Sequence, residues 1–313
     1  MEIENIAMIG AGAIGSVYGK LLHDQYGEKF FLIAGGARRE KLQNQGISLN
    51  SAVYRPKVED PAASKKRVQL LLVCVKNYQL DEAIRDMKNF VTASTAILPL
   101  LNGVTATQRL HEAFPQAHVL YGVSVGIDAV RNETGVTNTN NGFIQFGDEK
   151  NKMESMVVGA VKDCLLCAGI RAQVFEDMMQ ILWRKWMLNV GFNQVSALTR
   201  ADYGKMIAVP ELWSAVKAAM REVLAIAQKL QINVSEADIA EIKKIIPTMN
   251  ANGKTSMLQD VEAKRKTEVD YFSGTVIAYG KRLDIFCPVN ITLYNLLKGT
   301  EEAYRSSASK PPF

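Results

Sequence analysis

The stretch Ile6-Ala7-Met8-Ile9-Gly10-Ala11-Gly12-Ala13-Ile14-Gly15 decides how this chain folds. Its first four residues predict a buried strand and residues 13–22 predict a helix, so the glycines connect a strand to a helix. In the pattern G-x-G-x-x-G the first glycine permits a tight turn, the second lets a pyrophosphate approach the backbone, and the third lets the helix pack on the sheet. The whole turn, residues 10–15, therefore predicts a dinucleotide-binding site.

Strands and helices alternate downstream of this turn. Apolar stretches predict strands at residues 30–33, 68–75, 95–100 and 119–121, with helices between them at residues 38–45, 80–90 and 105–114. The stretch 68–75 is continuously apolar, as expected for a strand that is buried on both faces. The alternation predicts an α/β fold that begins with a Rossmann-type, doubly wound parallel sheet.

The pattern changes after Tyr121. Residues 142–147 and 170–174 predict edge strands on either side of a helix at 157–167. From about residue 177 the sequence predicts only helices, at 178–198, 210–230, 235–245, 256–282 and 290–306. A chain of 313 residues can hold two cores, so we expect a Rossmann-type domain over residues 1–176 and an all-helical domain over residues 177–313.

Composition and charge exclude several classes of protein. With 48% hydrophobic and 22% charged residues, the chain has the balance of a globular protein. The net charge of +5 comes without long basic runs, which favours a small anionic ligand over a nucleic acid. No apolar run reaches the ~18–20 residues that a membrane helix needs, and acidic residues near Met1 argue against an export signal.

Four cysteines and three histidines limit the redox and metal chemistry. Few cysteines in such a length indicate a reducing compartment, and we expect a cytoplasmic protein. Cys164 and Cys167 form a C-x-x-C within the predicted helix at 157–167; packing thiols are the favoured interpretation, with redox or metal chemistry as the alternative. The histidines lie apart from cysteine and acidic clusters, so we expect no metal site.

The residues after the second predicted strand indicate the cofactor. An NAD site places an acid about 20 residues past the glycine turn, where this chain has Gly35-Gly36-Ala37-Arg38-Arg39. A guanidinium pairs with a phosphate and replaces a carboxylate poorly, so Arg38 and Arg39 favour NADP(H). The alternatives are that the arginines only begin a solvated helix, or that Glu40 serves the ribose.

Lys185, Asn189 and Asn193 recur at every fourth residue of a predicted helix. Each step of four drifts by about 40°, so all three side chains lie along one face. Such a lysine can donate a proton to an anionic substrate, and the amides can bind hydroxyl and carboxylate oxygens. The alternative is a snorkelling lysine with two asparagines that cap or link helices, and spacing alone does not separate the two.

Several motifs, in order along nearly the whole chain, resemble the ketopantoate reductase (2-dehydropantoate 2-reductase) family. They are the glycine turn, Val75-Lys76-Asn77-Tyr78-Gln79, Leu101-Asn102-Gly103-Val104, residues 183–193, Ser256-Met257-Leu258-Gln259-Asp260 and Thr267-Glu268-Val269-Asp270-Tyr271. The resemblance implies reduction of the 2-keto group of ketopantoate to pantoate by NADPH, a step in pantothenate and coenzyme A biosynthesis.

The resemblance also implies residue roles in substrate binding. It makes Lys185 the proton donor, Asn189 and Asn193 substrate ligands, and Ser256 the ligand of the substrate carboxylate. Ser256 also heads a Ser-x-x-Gln capping pattern, so its alternative role is that of a helix N-cap.

Three further residues match positions beside the cofactor. Lys76 and Asn102 match residues next to the nicotinamide and its ribose, with Asn102 near the substrate as well. Lys76 ends the buried strand at its carboxyl end, where open α/β sheets bind ligands; its alternative is an ordinary solvated strand end, and that of Asn102-Gly103 is a simple turn. Glu268 matches an acid that meets cofactor and substrate, and on a helix Asp270 would point about 200° away from it.

Two positions depart from the family pattern. Gly253 stands where the family often has an asparagine, with Asn252 one place earlier, and Tyr203 stands where a further substrate-contacting asparagine is expected. The shape of the acid-binding pocket is therefore expected to differ. The alternatives are a reductase of another 2-keto acid in the same family and an NADP(H)-sensing protein without turnover; we expect a monomer or a homodimer.

Overall fold

The computed structural model describes residues 2–246 and 251–308. Residue contacts divide the chain into two compact units, Met1–Leu182 and Trp183–Phe313. The division lies within the helix Met178–Thr199, a few residues beyond the end of the predicted Rossmann-type domain at residue 176. The assignment of ligands to the two predicted domains stays a prediction.

The first unit contains two sheets. Its strands are β1 (Ile6–Ile9), β2 (Phe30–Ile33), β3 (Ile47–Leu49), β4 (Ala52–Tyr54), β5 (Lys57–Glu59), β6 (Leu70–Val73), β7 (Ala96–Pro99), β8 (His118–Val119), β9 (Tyr121–Arg131), β10 (Val136–Gly147) and β11 (Ala172–Val174). Its helices are α1 (Ala13–Tyr26), α2 (Gly36–Gln45), α3 (Leu80–Met87), α4 (Ala106–Ala113) and α5 (Met156–Cys167).

The larger sheet is parallel, in the order β5-β2-β1-β6-β7-β8. Alternate residues of each central strand enter two separate cores: Ile6 and Met8 pack with residues of α1 and α5, and Ala7 and Ile9 pack with residues of α3 and α4. Helices therefore cover both faces, which explains why the central strands are continuously apolar. The predicted doubly wound parallel sheet is confirmed.

The sequence analysis missed part of the strand content. It placed no strand between residues 46 and 60, where β3, β4 and β5 each have only three residues. It also predicted only the end of β10, whereas β9 and β10 form an antiparallel hairpin with strands of 11 and 12 residues. The first half of β10 is rich in Asn and ends in Gly142, residue types with weak strand preferences, and pairing with β3 and β11 holds this strand in place.

The second unit is helical, as predicted. Its helices are α6 (Met178–Thr199), which begins in the first unit, and α7 (Tyr203–Ala208), α8 (Pro210–Lys229), α9 (Glu236–Ile245), α10 (Ser256–Glu262), α11 (Ser273–Leu283) and α12 (Pro288–Ala308). Within the described ranges, no helix is both long and apolar enough to cross a membrane.

The predicted single helix over residues 256–282 is wrong. Helix α10 ends at Glu262, a short 3-10 helix covers Val269–Tyr271, and α11 begins at Ser273. Lys264 takes a positive φ of 53°, and the Thr267 N–H and hydroxyl both donate to Glu301 of α12, at 2.7 and 2.6 Å. Hydrogen bonds to another helix thus replace those that would continue α10, an arrangement that local sequence preference does not reveal.

A buried polar network fixes α6 against its neighbours. The Ser273 hydroxyl of α11 lies 2.5 Å from Gln194 Oε1 of α6 and 2.8 Å from Asn290 Oδ1 of α12. Asn290 Nδ2 donates to Glu222 Oε2 of α8 at 2.7 Å. Because unsatisfied polar groups are costly in a protein interior, this network favours the arrangement of the helices in which these groups are paired.

Candidate active site

The carboxyl ends of four neighbouring strands bring the predicted cofactor residues to one edge of the larger sheet. The order β2-β1-β6-β7 places the residues after these strands side by side. They are Arg38 and Arg39 after β2, the glycine turn after β1, Lys76 after β6 and Asn102 after β7. The chain runs from β1 outward through β2 to β5, and from β6 outward through β7 to β8. The switch point, where such sheets bind ligands, therefore lies between β1 and β6.

The three glycines of the turn are not all required for the same reason. A Cβ on Gly10, whose φ is +99°, would lie 2.6 Å from the carbonyl carbon of Cys74, and one on Gly15 would overlap the carbonyl oxygen of Gly10. A Cβ on Gly12 would meet only the Cys74 oxygen, at 3.9 Å. Protein packing thus explains Gly10 and Gly15, whereas the space at Gly12 fits the approach of a ligand to the backbone at the start of α1.

Two guanidinium groups meet at this turn. Arg38 Nη2 donates to the carbonyl oxygen of Ala11 at 3.3 Å, and Arg131 Nη1 donates to the same oxygen at 2.5 Å. Desolvation lowers the pKa of Arg38, and the positive charge of Arg131 lowers it further. Arg39 instead pairs with Asp60 at 3.1 Å. The sequence analysis did not find Arg131, because it belongs to a hairpin about 120 residues away from the turn and no local motif marks it.

The residues after β6 and β7 are joined directly. The Asn77 side chain, 1% exposed, donates from Nδ2 to the backbone oxygen of Asn102 at 2.8 Å. Gly103 follows with a φ of +91°, which favours glycine. Asn77 therefore fixes the backbone on which the predicted ligands Lys76 and Asn102 lie, a role that the sequence analysis did not assign to it.

In the second unit, Lys185 lies on α6, and in sequence it stands between the two buried tryptophans Trp183 and Trp186. Trp183 and Trp186 pack edge to face with their ring centres 5.1 Å apart, and the Trp186 ring N–H donates to the Tyr271 oxygen at 3.1 Å. Burial lowers the pKa of Lys185 to about 8, and the negative charge of Glu268 opposes this shift. A lysine with such a pKa can release a proton near neutral pH.

Two of the other predicted substrate ligands of the second unit, Asn193 and Ser256, are joined by a hydrogen bond. Asn189 and Asn193, on the same helix as Lys185, are 7% and 2% exposed, and Asn193 Nδ2 donates to Ser256 Oγ at 3.3 Å. The alternative reading of Ser256 as an N-cap is wrong, because Thr255 caps α10 by accepting from the Leu258 N–H at 3.2 Å. Ser256 is the first residue of the helix, and its hydroxyl is not used in capping.

Glu268 and Asp270 have different partners. Glu268, 4% exposed, precedes the short 3-10 helix and its charge acts on Lys185. Asp270 accepts from the Tyr294 hydroxyl at 2.9 Å and pairs with Lys298 at 3.4 Å. The sequence analysis expected the two acids to point apart because of helical geometry; in the structure the chain is not α-helical here, and tertiary partners distinguish them.

The two departures from the family pattern lie together. The Tyr203 N–H donates to the Gly253 oxygen at 3.2 Å, and the Tyr203 ring packs 5.7 Å from that of Phe192. Burial raises the pKa of Tyr203 to about 12, so its phenol stays neutral. The backbone of Tyr203 therefore holds the segment just before Ser256, and the two departures contact each other.

The part of the chain that the structure describes contains no set of side chains arranged to bind a metal ion. No group of three or more His, Cys, Asp or Glu side chains is placed there to hold an ion. All four cysteines have free thiols; Cys164 is buried and Cys167 exposed on α5.

The doubly wound parallel sheet, with G-x-G-x-x-G after its first strand, defines a protein of the Rossmann-type nucleotide-binding class. The chain matches the family described as "Ketopantoate reductase PanE/ApbA" over residues 6–151 and "Ketopantoate reductase PanE/ApbA C terminal" over residues 177–301. It belongs to the ketopantoate reductase family of oxidoreductases, which confirms the resemblance seen in the sequence.

Individual relatives are distant but similar over their full length. The 2-dehydropantoate 2-reductase of Archaeoglobus fulgidus is 25% identical over 304 residues, covering 96% of this chain and 99% of the relative. That of Pyrococcus horikoshii is 27% identical over 301 residues, covering 95% and 97%. The ternary structure of D-mandelate dehydrogenase with NADH and anilino(oxo)acetate has a TM-score of 0.86 at 22% identity, covering 96% and 99%. At that identity the structural likeness shows the fold alone.

Substitution of the glycines should separate packing from ligand binding. We expect Gly15→Ala to destabilise the protein by about 1–3 kcal/mol, because the new methyl group overlaps the turn. Gly12→Ala should change the stability by less than about 1 kcal/mol, since only an N-cap preference is affected, and should weaken the binding of a nicotinamide dinucleotide more than tenfold. Thermal unfolding and fluorescence titration measure the two effects. Dinucleotide binding by Gly12→Ala as tight as that of the native protein would contradict this division.

Proposed function

We propose that this protein is an NADPH-dependent 2-dehydropantoate 2-reductase, which reduces ketopantoate to pantoate in pantothenate and coenzyme A biosynthesis. The observation that carries the proposal is Lys185, whose pKa burial lowers to about 8, on the same helix as Asn189 and Asn193 in a chain of this family. A structural lysine gains nothing from such burial, whereas a proton donor needs a pKa near the working pH.

The first unit fits NADPH. The glycine turn leaves room at Gly12 for a pyrophosphate, and Arg38, with no acid contributing to its pKa, suits a phosphate on the ribose. Arg39 pairs with Asp60, so we assign the 2′-phosphate to Arg38 rather than to Arg39. Lys76 and Asn102 are proposed to bind the nicotinamide riboside, on the backbone fixed by Asn77. When bound, NADPH supplies the hydride that reduces the keto carbon.

The residues of the second unit are proposed to handle the substrate. The Lys185 ammonium donates its proton to the keto oxygen as negative charge develops there, and it stabilises that charge beforehand. Ser256 and Asn193 bind the substrate carboxylate, and Asn189 binds a hydroxyl oxygen. Glu268 keeps Lys185 protonated at neutral pH, because its carboxylate opposes the effect of burial, and we also propose it as a cofactor ligand.

Other parts of the assignment are proposals of the same kind. We assign residues 1–176 to the cofactor and residues 177–313 to substrate binding and catalysis. The protein acts as a monomer or a homodimer on a small anionic 2-keto acid, without nucleic acid or membrane. Its free thiols are in keeping with a reducing compartment, so we place it in the cytoplasm.

The direct test is the loss of NADPH absorbance with ketopantoate and a panel of other 2-keto acids. Ketopantoate should give the highest kcat/KM. A higher value with another acid would move the assignment to that substrate within the family. No turnover with any acid, despite NADPH binding, would indicate a sensor and overturn the proposal.

Lys185→Ala should lower kcat by about 10²–10⁴-fold, because a positioned proton donor contributes that much. NADPH affinity should be kept, since we assign the cofactor to the first unit. Arg184→Ala is the matched control on the same helix; Arg184 pairs with Glu241 at 2.9 Å, and we expect its kcat to stay within about twofold. Near-native kcat in Lys185→Ala would exclude Lys185 as the donor.

The pH dependence should follow the lowered pKa of Lys185. Its ammonium donates while protonated, so kcat/KM should fall as the pH rises through about 8, rather than near the usual 10.5. Glu268→Gln removes the charge that raises this pKa, and the basic limb should move to lower pH. Glu262→Gln changes an exposed acid of α10 and is the control. An unmoved limb in Glu268→Gln would contradict the coupling.

Cofactor choice should depend on Arg38. We expect the native protein to prefer NADPH, and Arg38→Ala to lower kcat/KM with NADPH by about tenfold or more with little effect on NADH. Arg39→Ala removes the neighbouring guanidinium, which pairs with Asp60, and should leave the ratio of the two cofactors within about threefold. Equal efficiency of the native protein with both cofactors would refute NADPH specificity.

A further inference from the structure

The hairpin formed by β9 and β10 delivers a cation to the glycine turn. Arg131 is the last residue of β9, and its Nη1 donates to the Ala11 oxygen at 2.5 Å, across 120 residues of sequence. The turn after it is fixed, because Asn132 Oδ1 accepts from the N–H groups of Thr134 and Gly135 at 3.0 and 2.9 Å. The position of Arg131 beside the turn is therefore set by the fold of the hairpin.

Arg131 and Arg38 share one acceptor. Arg38 Nη2 reaches the same Ala11 oxygen at 3.3 Å, so two guanidinium groups converge on a single carbonyl. A carbonyl carries only a partial negative charge, and the pKa of Arg38 is lowered by the charge of Arg131 as well as by desolvation. Like charges in contact are unfavourable, and an anion between them reverses the sign of the interaction.

We propose that Arg131 is a specificity-determining residue that binds the 2′-phosphate of the adenosine ribose together with Arg38. This inference rests on the proposed use of NADPH. A phosphomonoester carries close to two negative charges and three acceptor oxygens, which match two guanidinium groups. The position of Arg131 next to Arg38 supports a shared site, and the pairing of Arg39 with Asp60 leaves Arg131 as the second cation at the turn.

A purely structural role for Arg131 makes a different prediction. If Arg131 only links the hairpin to the turn, its loss should weaken the binding of every adenine nucleotide by the same factor. If it binds the 2′-phosphate, only ligands that carry this group should be affected. The comparison of adenosine 2′,5′-bisphosphate with adenosine 5′-monophosphate isolates the phosphate, since the two differ in nothing else.

The experiment is calorimetric titration of the full-length protein with these two nucleotides. Arg131→Ala should weaken adenosine 2′,5′-bisphosphate at least tenfold and adenosine 5′-monophosphate by less than twofold, and Arg131→Lys should give an intermediate loss. The matched control is Arg171→Ala, because Arg171 also donates to a backbone oxygen of this hairpin, that of Gly142 at 3.1 Å, and should change neither affinity.

The possible failures are distinguishable. If both nucleotides weaken equally in Arg131→Ala, Arg131 is a structural tie and the inference is wrong. If the native protein prefers the bisphosphate and Arg131→Ala keeps the full preference, the inference is wrong while NADPH use stands. If the native protein shows no preference for the bisphosphate, the proposed NADPH specificity fails, and the inference fails with it.

Discussion

The close packing of the glycine turn against the end of β6 is the constraint on which the first unit depends. Gly10 lies so near the Cys74 backbone that a Cβ would stand 2.6 Å from its carbonyl carbon, and Gly15 packs on Gly10 itself. This contact brings α1 down onto the sheet and places its N-terminus at the switch point between β1 and β6. The ligand-binding edge of the sheet follows from that packing, because the residues after β2, β6 and β7 are then fixed by strand register alone.

The sequence predicted what is periodic or local and missed what is tertiary. The buried strands were predictable because they are continuously apolar, as in β6, and helices such as α8 were predictable because their apolar residues recur with the helical period. The glycine turn was predictable because each glycine has its own local task. The split of residues 256–282 was not, since the acceptor that replaces the helical hydrogen bonds of Thr267 is Glu301, 34 residues away. Arg131 was missed for the same reason: its acceptor, the Ala11 oxygen, lies 120 residues away, and no local motif marks that contact although apolar residues alternate along β9.

The second unit is subject to a different constraint: it holds Lys185 at a position where burial lowers the pKa of the ammonium. The ammonium alone would favour an exposed position, so α6 must be fixed by other interactions. Two sets of contacts fix this helix. The tryptophans that flank Lys185 in sequence pack edge to face, and hydrogen bonds link Gln194, Ser273, Asn290 and Glu222. These groups contact one another rather than any proposed ligand. The helix that bears Lys185, Asn189 and Asn193 is thereby positioned without using the side chains assigned to the substrate.

Both units place charge where it is unfavourable in the protein alone. In the first, desolvation and then the charge of Arg131 lower the pKa of Arg38; in the second, burial lowers that of Lys185 to about 8. In the proposed function an anion offsets each of these charges: a phosphate between the arginines, and a carboxylate or developing alkoxide near the lysine. On that proposal the sites gain affinity for their ligands from the electrostatic energy that lowers these pKa values. A hairpin turn holds Arg131 and the packed helix α6 holds Lys185, so both cations would be in position before a ligand binds.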